Sequence, residues 1–103
     1  MEKDNYELDP ISVPCLTYVL ECENDKWYIG KSYNVNFRLG QHLSGNGAKW
    51  TKLHKPKKIV GIYLGNQEKR RTLELMRKHG WQNVRGGGWC RVNLQSPPAD
   101  LSP

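Results

Sequence analysis

The chain has 103 residues, of which 37% are hydrophobic and 10% aromatic, and its formal net charge is +6. A chain of this length can build one small hydrophobic core, which predicts a single domain. No stretch approaches the ~20 apolar residues of a membrane span, and the polar, acidic start MEKDNYELDP is unlike a secretory signal. We therefore expect a soluble, intracellular protein, cytoplasmic or nuclear, rather than a membrane protein.

Charge is distributed unevenly along the chain. Seven of the ten carboxylates precede residue 26, whereas residues 31–95 contain fourteen Lys and Arg against two Glu, a balance of 14 − 2 = +12. Such a surplus attracts polyanions, of which nucleic acid is the commonest in a cell. Because a basic surface can also serve only solubility, the charge predicts a class of partner and not an activity.

The three cysteines give no sign of a cross-linked or metal-bound framework. Their number is odd and none forms a C-x-x-C pair, so neither a disulfide scaffold nor a four-ligand zinc site is indicated. Reduced, mostly buried thiols are the simpler interpretation.

Both ends of the chain are predicted to be tails around a domain of residues 13–95. Residues 1–12 lack a sustained apolar pattern. Residues 96–103, SPPADLSP, combine prolines with small polar residues that do not continue a strand or helix.

The first predicted elements form a hairpin. The apolar and aromatic run CLTYVLECE predicts a strand at about 15–22, the following Asn-Asp pair favours a turn at 23–26, and WYIGK returns as a strand at 27–31. Tyr18 and Tyr28 then lie on paired strands and could approach one another.

A helix follows the hairpin. Asn34 or Asn36 could cap it, and it should run to about Leu43, where GNG follows. Arg38 and His42 are four residues apart and therefore share one helical face.

The remaining segments complete an α/β (α+β) fold. The basic segment that follows is predicted to be a loop, in which residues 48–53 could form a helical turn. KIVGIYLG predicts a third strand. A helix capped by Asn66 should then end at Gly80, and a last short strand is predicted at about 89–94. We expect a small central sheet, mixed or antiparallel, flanked by helices.

The order of polar residues resembles a known enzyme family. A strand with Tyr18 and a turn precede Tyr28-Ile29-Gly30, Arg38 lies eight residues past the glycine, and His42 lies four further on. This spacing resembles the GIY-YIG nuclease family, and GNGAKWTKLHKP and KHGWQNVRGG resemble a viral and microbial branch of free-standing domains.

The first motif of that family is altered in this sequence. Leu16-Thr17-Tyr18 stands where Gly-Ile-Tyr would be, so only the tyrosine is kept. The literal GIY at 61–63 follows the second motif instead of preceding it. The resemblance extends from about Cys15 to Leu94.

The resemblance implies a role for each of these side chains. Tyr18 would help to deprotonate the attacking water, and Tyr28 would position water or the scissile phosphate. Arg38 would offset charge on the phosphate. His42, taken by itself, could contact phosphate, help to order Tyr18 or serve packing alone. A glutamate would hold one divalent metal ion, Mg²⁺ or Mn²⁺.

Phosphodiester hydrolysis is chemistry that suits these residue types. Charge builds on phosphorus during the attack, and a guanidinium with forked donors, such as that of Arg38, stabilises it well. A tyrosine with a pKa of about 10 is a poor base, so we expect the cationic surroundings to favour its phenolate. Each side chain alone could be structural, and their joint occurrence is what favours function.

Two glutamates within the basic body could hold the metal. Six helical residues rotate Glu68 and Glu74 by about 240° relative to each other, so they should face different ways. Glu68 shares a face with Thr72 and Met76 and should look toward the core and cleft, whereas Glu74 is bracketed by arginines and lysines. Glu68 is the preferred ligand, and Glu74 is the alternative.

Other residues are predicted to bind nucleic acid. Lysines around Trp50 could track phosphates while the indole stacks on a base. Asn83, before a glycine-rich turn, could support the site or only shape the turn. The full predicted set is Lys31, Lys49, Trp50, Lys52, Asn83 and Arg85.

The sequence thus predicts a metal-dependent DNA endonuclease that cuts duplex or branched DNA, with a partner protein able to supply specificity. The alternative is a catalytically inactive nucleic-acid-binding module of the same fold. A protein-interaction domain is a third option. The preferred DNA structure or sequence and the oligomeric state stay open.

Overall fold

A four-stranded sheet with helices on both faces organises residues 14–101, the part of the chain that this computed structural model describes. The helices and strands are, in chain order, β1 (Leu16–Cys22), β2 (Lys26–Ser32), α1 (Val35–Leu43), α2 (Lys49–Leu53), β3 (Pro56–Leu64), α3 (Glu68–His79) and β4 (Val84–Gly86). The strand order is β3-β1-β2-β4, with β1 antiparallel to both neighbours and β4 parallel to β2. The sheet is therefore mixed, and the predicted α+β class is confirmed.

The predicted hairpin is confirmed. A 3₁₀ turn joins β1 to β2 and places Asn24 and Asp25 at φ values of 65° and 57°, which these two residue types tolerate best after glycine. The strand register sets Tyr18 opposite Gly30 and Leu20 opposite Tyr28. Because side chains alternate between faces, both tyrosines lie on the same face of the sheet.

Alternation along the central strands separates two apolar clusters. Tyr18, Leu20 and Tyr28 pack with Trp50, together with partly buried side chains of α1. The opposite face packs against Met76 of α3 and includes Val19, Ile29 and Val84. The first cluster carries the polar groups described below.

The ends of the helices follow local side-chain capping. Asn34 Oδ1 accepts a hydrogen bond from the Phe37 N–H at 3.0 Å, which decides between the two predicted caps of α1. Before α3, Asn66 Oδ1 accepts from the Glu68 N–H at 3.2 Å. Gly80, with φ of 93°, ends α3 as predicted.

The strand predicted at 89–94 is wrong. Only Trp89 of that segment pairs, through an isolated bridge to Gly86. The Arg85 guanidinium donates instead to the carbonyls of Arg91 at 2.7 Å and Val92 at 3.0 Å. These carbonyls therefore bond a buried side chain rather than a neighbouring strand.

Residues near the described C-terminus contact α3. Asp100 forms an ion pair with Lys69 at 3.0 Å, its carbonyl accepts from Arg77, and Leu101 packs against the second apolar cluster. The domain limits of 13–95 stay a prediction, and the predicted tail of residues 1–12 lies outside the described residues. Within residues 14–101, no helix combines the length and apolar character needed to span a bilayer.

Arg85 should be a large single contributor to stability. Its buried guanidinium also donates to the carbonyls of Trp81 and Val84. We expect Arg85→Met to lower the free energy of unfolding by about 3 kcal/mol, since four carbonyls lose a charged donor. Urea denaturation measures this. Arg91→Met, at an exposed neighbouring side chain, should change stability by about 0.5 kcal/mol or less, and equal stabilities of the two variants would contradict the assignment.

Candidate active site

Tyr18 lies at the centre of the polar cluster on the α1 face of the sheet. Its side chain is 1% exposed, and its hydroxyl is 2.8 Å from His42 Nε2. A Cβ on Gly30, the residue opposite on β2, would overlap the Tyr18 hydroxyl. The glycine therefore makes room for the phenol to reach across the sheet to α1.

His42 is buried between two hydroxyl groups. Its Nδ1 lies 2.8 Å from Thr51 Oγ1 of α2, opposite the contact with Tyr18. Burial, and then the charge of Arg38, lowers the pKa of His42 to about 4. The imidazole is therefore neutral at pH 7. The contact with Tyr18 is the one that ordering Tyr18 requires, and both roles expected for His42 stay predictions.

Tyr28 completes an aromatic group with these two side chains. Its ring centroid is 6.5 Å from that of Tyr18 and 5.0 Å from that of His42. The close approach of the two phenols predicted from the hairpin is confirmed.

Arg38 lowers the pKa of both tyrosines, but by less than burial raises it. It is half-buried on α1, and its Nη1 donates to Gln41 Oε1 at 2.8 Å. Burial raises the pKa of Tyr18 and of Tyr28, whereas the Arg38 charge lowers the pKa of each. The expectation that cationic surroundings favour a phenolate is wrong for the protein alone, because desolvation outweighs the attraction.

Glu68 faces this group from the start of α3. It is half-buried, burial raises the pKa of its carboxyl, and Lys31 acts in the opposite direction. Its negative charge in turn raises the pKa of both Tyr18 and Tyr28. Glu74 is exposed and pairs with Arg71 at 2.9 Å. The two glutamates thus face different ways, as helical spacing predicted.

Comparison with known proteins agrees with this geometry. The model of the GIY-YIG catalytic domain matches residues 14–78. The chain belongs to the GIY-YIG family. Membership indicates a nuclease-type fold. No solved structure matches the chain.

Curated bacterial relatives match over shorter segments of this GIY-YIG chain. A UPF0213 protein of Cupriavidus necator is 46% identical over 44 residues, which is 43% of this chain and 48% of the relative. A UPF0213 protein of Halalkalibacterium halodurans is 39% identical over 46 residues, 45% of this chain and 49% of the relative. The chain spans about half the length of these relatives.

One carboxylate of this group is available to a divalent ion. Among residues 14–101, no three His, Cys, Asp or Glu side chains gather to form a metal cluster. Mg²⁺ usually keeps several waters and binds through one or two carboxylates with substrate phosphate. A single carboxylate, that of Glu68, therefore fits such an ion, and its choice as the ligand stays a prediction.

Three of the residues predicted to bind nucleic acid are exposed lysines, and two others are buried. Lys31, Lys49 and Lys52 lie on the surface. Trp50 is 3% exposed, and its Nε1 donates to the Trp27 carbonyl at 2.9 Å, so the expected stacking on a base is wrong for this conformation. Arg85 is also buried, and its guanidinium lies 4.4 Å from the centre of the Trp50 ring. Both side chains stabilise the fold behind the site.

The amide of Asn83 is also occupied by contacts within the fold. Its Oδ1 accepts from Lys26 Nζ at 2.9 Å, and its Nδ2 donates to the His79 carbonyl at 2.8 Å. These bonds support a turn-stabilising role over direct contact with substrate.

Sequence reasoning missed several residues beside the GIY-YIG centre. Thr51 contacts His42, and a Cβ on Gly47 would overlap the His42 ring. Cys90 raises the pKa of Tyr28, and burial followed by the charge of Glu68 raises the pKa of Cys90. A surface groove at Cys90 is also lined by Lys49 and Arg91. No motif marked these positions, because their roles depend on contacts between distant segments.

The neutral state of His42 should make stability depend on pH. Because the folded-state pKa of about 4 lies below the ordinary 6.5, the unfolded chain binds more protons between these values. The free energy of unfolding is therefore unaffected by this group above pH 6.5. It falls by about 3 kcal/mol as pH decreases to about 4, because the unfolded chain takes up a proton that the buried imidazole does not. We expect the difference in unfolding free energy between wild type and His42→Gln to shrink over that range. A difference that stays constant from pH 7 to pH 4 would contradict the assignment.

Proposed function

We propose that this protein is a metal-dependent endonuclease that hydrolyses DNA phosphodiester bonds. The observation that carries the proposal is the 2.8 Å contact between Tyr18 and a neutral His42, inside a group that also contains Tyr28 and Arg38 and faces Glu68. A structural hairpin needs aromatic packing but has no need of a half-buried carboxylate beside two phenols. The charged groups therefore support catalysis over packing alone.

Tyr18 and His42 act as a pair that accepts the proton of the attacking water. The water O–H bond breaks as its proton moves to the Tyr18 oxygen, and the Tyr18 proton moves to His42 Nε2. The water oxygen forms the new bond to phosphorus, the bond to the leaving oxygen breaks, and that oxygen takes up a proton from solvent water. Transfer in one concerted step suits a phenol whose pKa burial has raised, because a free phenolate need not accumulate.

Arg38, Tyr28 and Glu68 contribute to the same step from different sides. Arg38 donates to the phosphate oxygens as negative charge develops on them. Tyr28 positions the water or the scissile phosphate. Glu68 would hold Mg²⁺ or Mn²⁺, an ion that supplies Lewis-acid stabilisation of the phosphate when bound.

The exposed basic residues bind the DNA backbone on either side of the centre. Lys31 follows Gly30 on β2, and Lys49 and Arg91 line the groove at Cys90. Backbone contacts position a duplex or branched DNA without reading its sequence. Selection of particular sites would then come from DNA structure or from a partner protein.

An inactive nucleic-acid-binding module is the second candidate. The observation that favours it is the raised pKa of a Tyr18 that has lost the glycine and isoleucine of its motif. A binding module, however, gains nothing from Glu68 beside the DNA phosphates. Substitution of this carboxylate separates the two candidates.

Glu68→Gln should lower DNA cleavage by about 100-fold or more, since the metal ligand is removed. The measurement is nicking of supercoiled plasmid and cutting of branched duplexes, each with and without Mg²⁺. Glu74→Gln is the matched control, because it removes a carboxylate of the same helix that points to solvent, and it should cut at close to the wild-type rate.

Two results would reject parts of this proposal. Normal cleavage by Glu68→Gln would remove this residue from the mechanism. Wild-type protein that binds DNA but cuts no substrate with Mg²⁺ or Mn²⁺ would favour the inactive binding module.

Lys49 and Lys52 should contribute to the salt dependence of DNA binding. Replacing both with Gln should reduce the slope of log K against log salt by about 1 for each DNA phosphate that a lysine no longer neutralises. Lys57→Gln/Lys58→Gln is the control, since these lysines pair with Glu21 at 3.6 and 3.7 Å. Fluorescence anisotropy on a duplex measures both slopes, and equal slopes for the two double variants would place the DNA elsewhere.

A further inference from the structure

A chain of three hydrogen bonds extends from Tyr18 into α2. Tyr18 Oη and His42 Nε2 are 2.8 Å apart, and His42 Nδ1 and Thr51 Oγ1 are also 2.8 Å apart. Thr51 Oγ1 donates to the Ala48 carbonyl at 3.0 Å. Tyr18, His42 and Thr51 are each no more than 2% exposed, so these groups exchange few hydrogen bonds with water.

The number of hydrogen atoms available to these three hydrogen bonds favours one set of bond directions. Each hydroxyl carries one hydrogen, and neutral His42 carries one on a ring nitrogen. If Thr51 donates to Ala48, then His42 Nδ1–H donates to Thr51, and Tyr18 donates to the free Nε2. All three bonds are then made.

The reverse arrangement leaves a buried donor without a partner. If Thr51 donates to His42 Nδ1, the ring hydrogen lies on Nε2 and points at the Tyr18 oxygen. The Tyr18 hydrogen then needs another acceptor, and among residues 14–101 His42 is the one side chain with an acceptor atom in hydrogen-bond contact with the Tyr18 hydroxyl. The nearby Arg38 has only donors. The Ala48 carbonyl does not decide the matter, because it also accepts from the Lys52 N–H.

We infer that Thr51 is a positioning residue that fixes His42 as the Nδ1–H tautomer, so that the Tyr18 proton points at His42 Nε2. This inference rests on the proposed function for its catalytic meaning, and it adds the side chain that keeps His42 Nε2 free to accept the proton. A proton that leaves Tyr18 has one destination. The imidazolium that forms keeps a partner at each nitrogen, the Tyr18 oxygen at Nε2 and Thr51 at Nδ1.

The loop before α2 passes directly beside the His42 ring and leads into the helix that carries Thr51. A Cβ on Gly47 would overlap His42 Nδ1 and lie 2.9 Å from its Cα. Only a glycine lets the backbone pass this close to the ring, after which α2 begins at Lys49.

The tautomer can be measured without any assay of activity. Long-range ¹H–¹⁵N correlation spectra of imidazole-labelled wild-type protein should show a pyrrole-type Nδ1 and a pyridine-type Nε2 for His42. His54→Asn and His79→Gln proteins assign the signals. A protonated Nε2 in the wild type would overturn the inference.

Two variants test whether Thr51 sets this state. Thr51→Val keeps the branched shape without the hydroxyl and should populate the Nε2–H tautomer, whereas Thr51→Ser should keep the Nδ1–H form. An unchanged tautomer in folded Thr51→Val would overturn the role of Thr51. If Thr51→Val does not fold, Thr51→Ala replaces it in the same spectra.

Cleavage kinetics connect the tautomer to the reaction. Thr51→Val should lower kcat about 10-fold with little change in the KM for DNA, and Thr51→Ser should restore the wild-type kcat. A wild-type protein with the expected tautomer and no cleavage would reject the proposed function alone. The opposite tautomer in a protein whose cleavage needs Tyr18 and Glu68 would reject this inference alone.

Discussion

The hydrogen bond between Tyr18 and His42 is the contact on which the rest of the site depends. It joins the central strand β1 to α1, although the two residues are 24 positions apart in the chain. Gly30 and Gly47 lie against its two ends, and a Cβ at either would overlap one of the bonded side chains. This bond is therefore compatible only with a glycine opposite Tyr18 on β2 and a glycine beside His42 in the loop before α2. It also fixes where α1 packs on the sheet.

Burial gives this contact its chemical character. The same desolvation that raises the pKa of Tyr18 lowers the pKa of His42, so both groups are neutral before substrate arrives. Arg38 opposes the effect on Tyr18, and Glu68 adds to it. In the proposed mechanism, a cation and a phosphate that enter between these charges change this balance, so that proton transfer depends on the presence of substrate.

Local patterns predicted the parts of the fold that depend on neighbours in sequence. The Asn-Asp turn, the Asn34 cap and the Gly80 helix end each act within about four residues, and helical spacing alone separated Glu68 from Glu74. Trp50 and Arg85 were misplaced because their positions depend on distant backbone. Trp50 donates a hydrogen bond to a carbonyl 23 residues away. Arg85 donates to the carbonyls of Arg91 and Val92, which a strand at 89–94 would have needed for pairing.

A double-mutant cycle on the cleavage rate tests most directly whether Tyr18 and His42 work as one unit. The rates of Tyr18→Phe, His42→Gln and the double variant are compared with the wild-type rate on one DNA substrate. We expect the double variant to be no slower than the slower single variant, since each change breaks the same proton path. Losses that multiply in the double variant would show that the two residues act independently and not as one proton path.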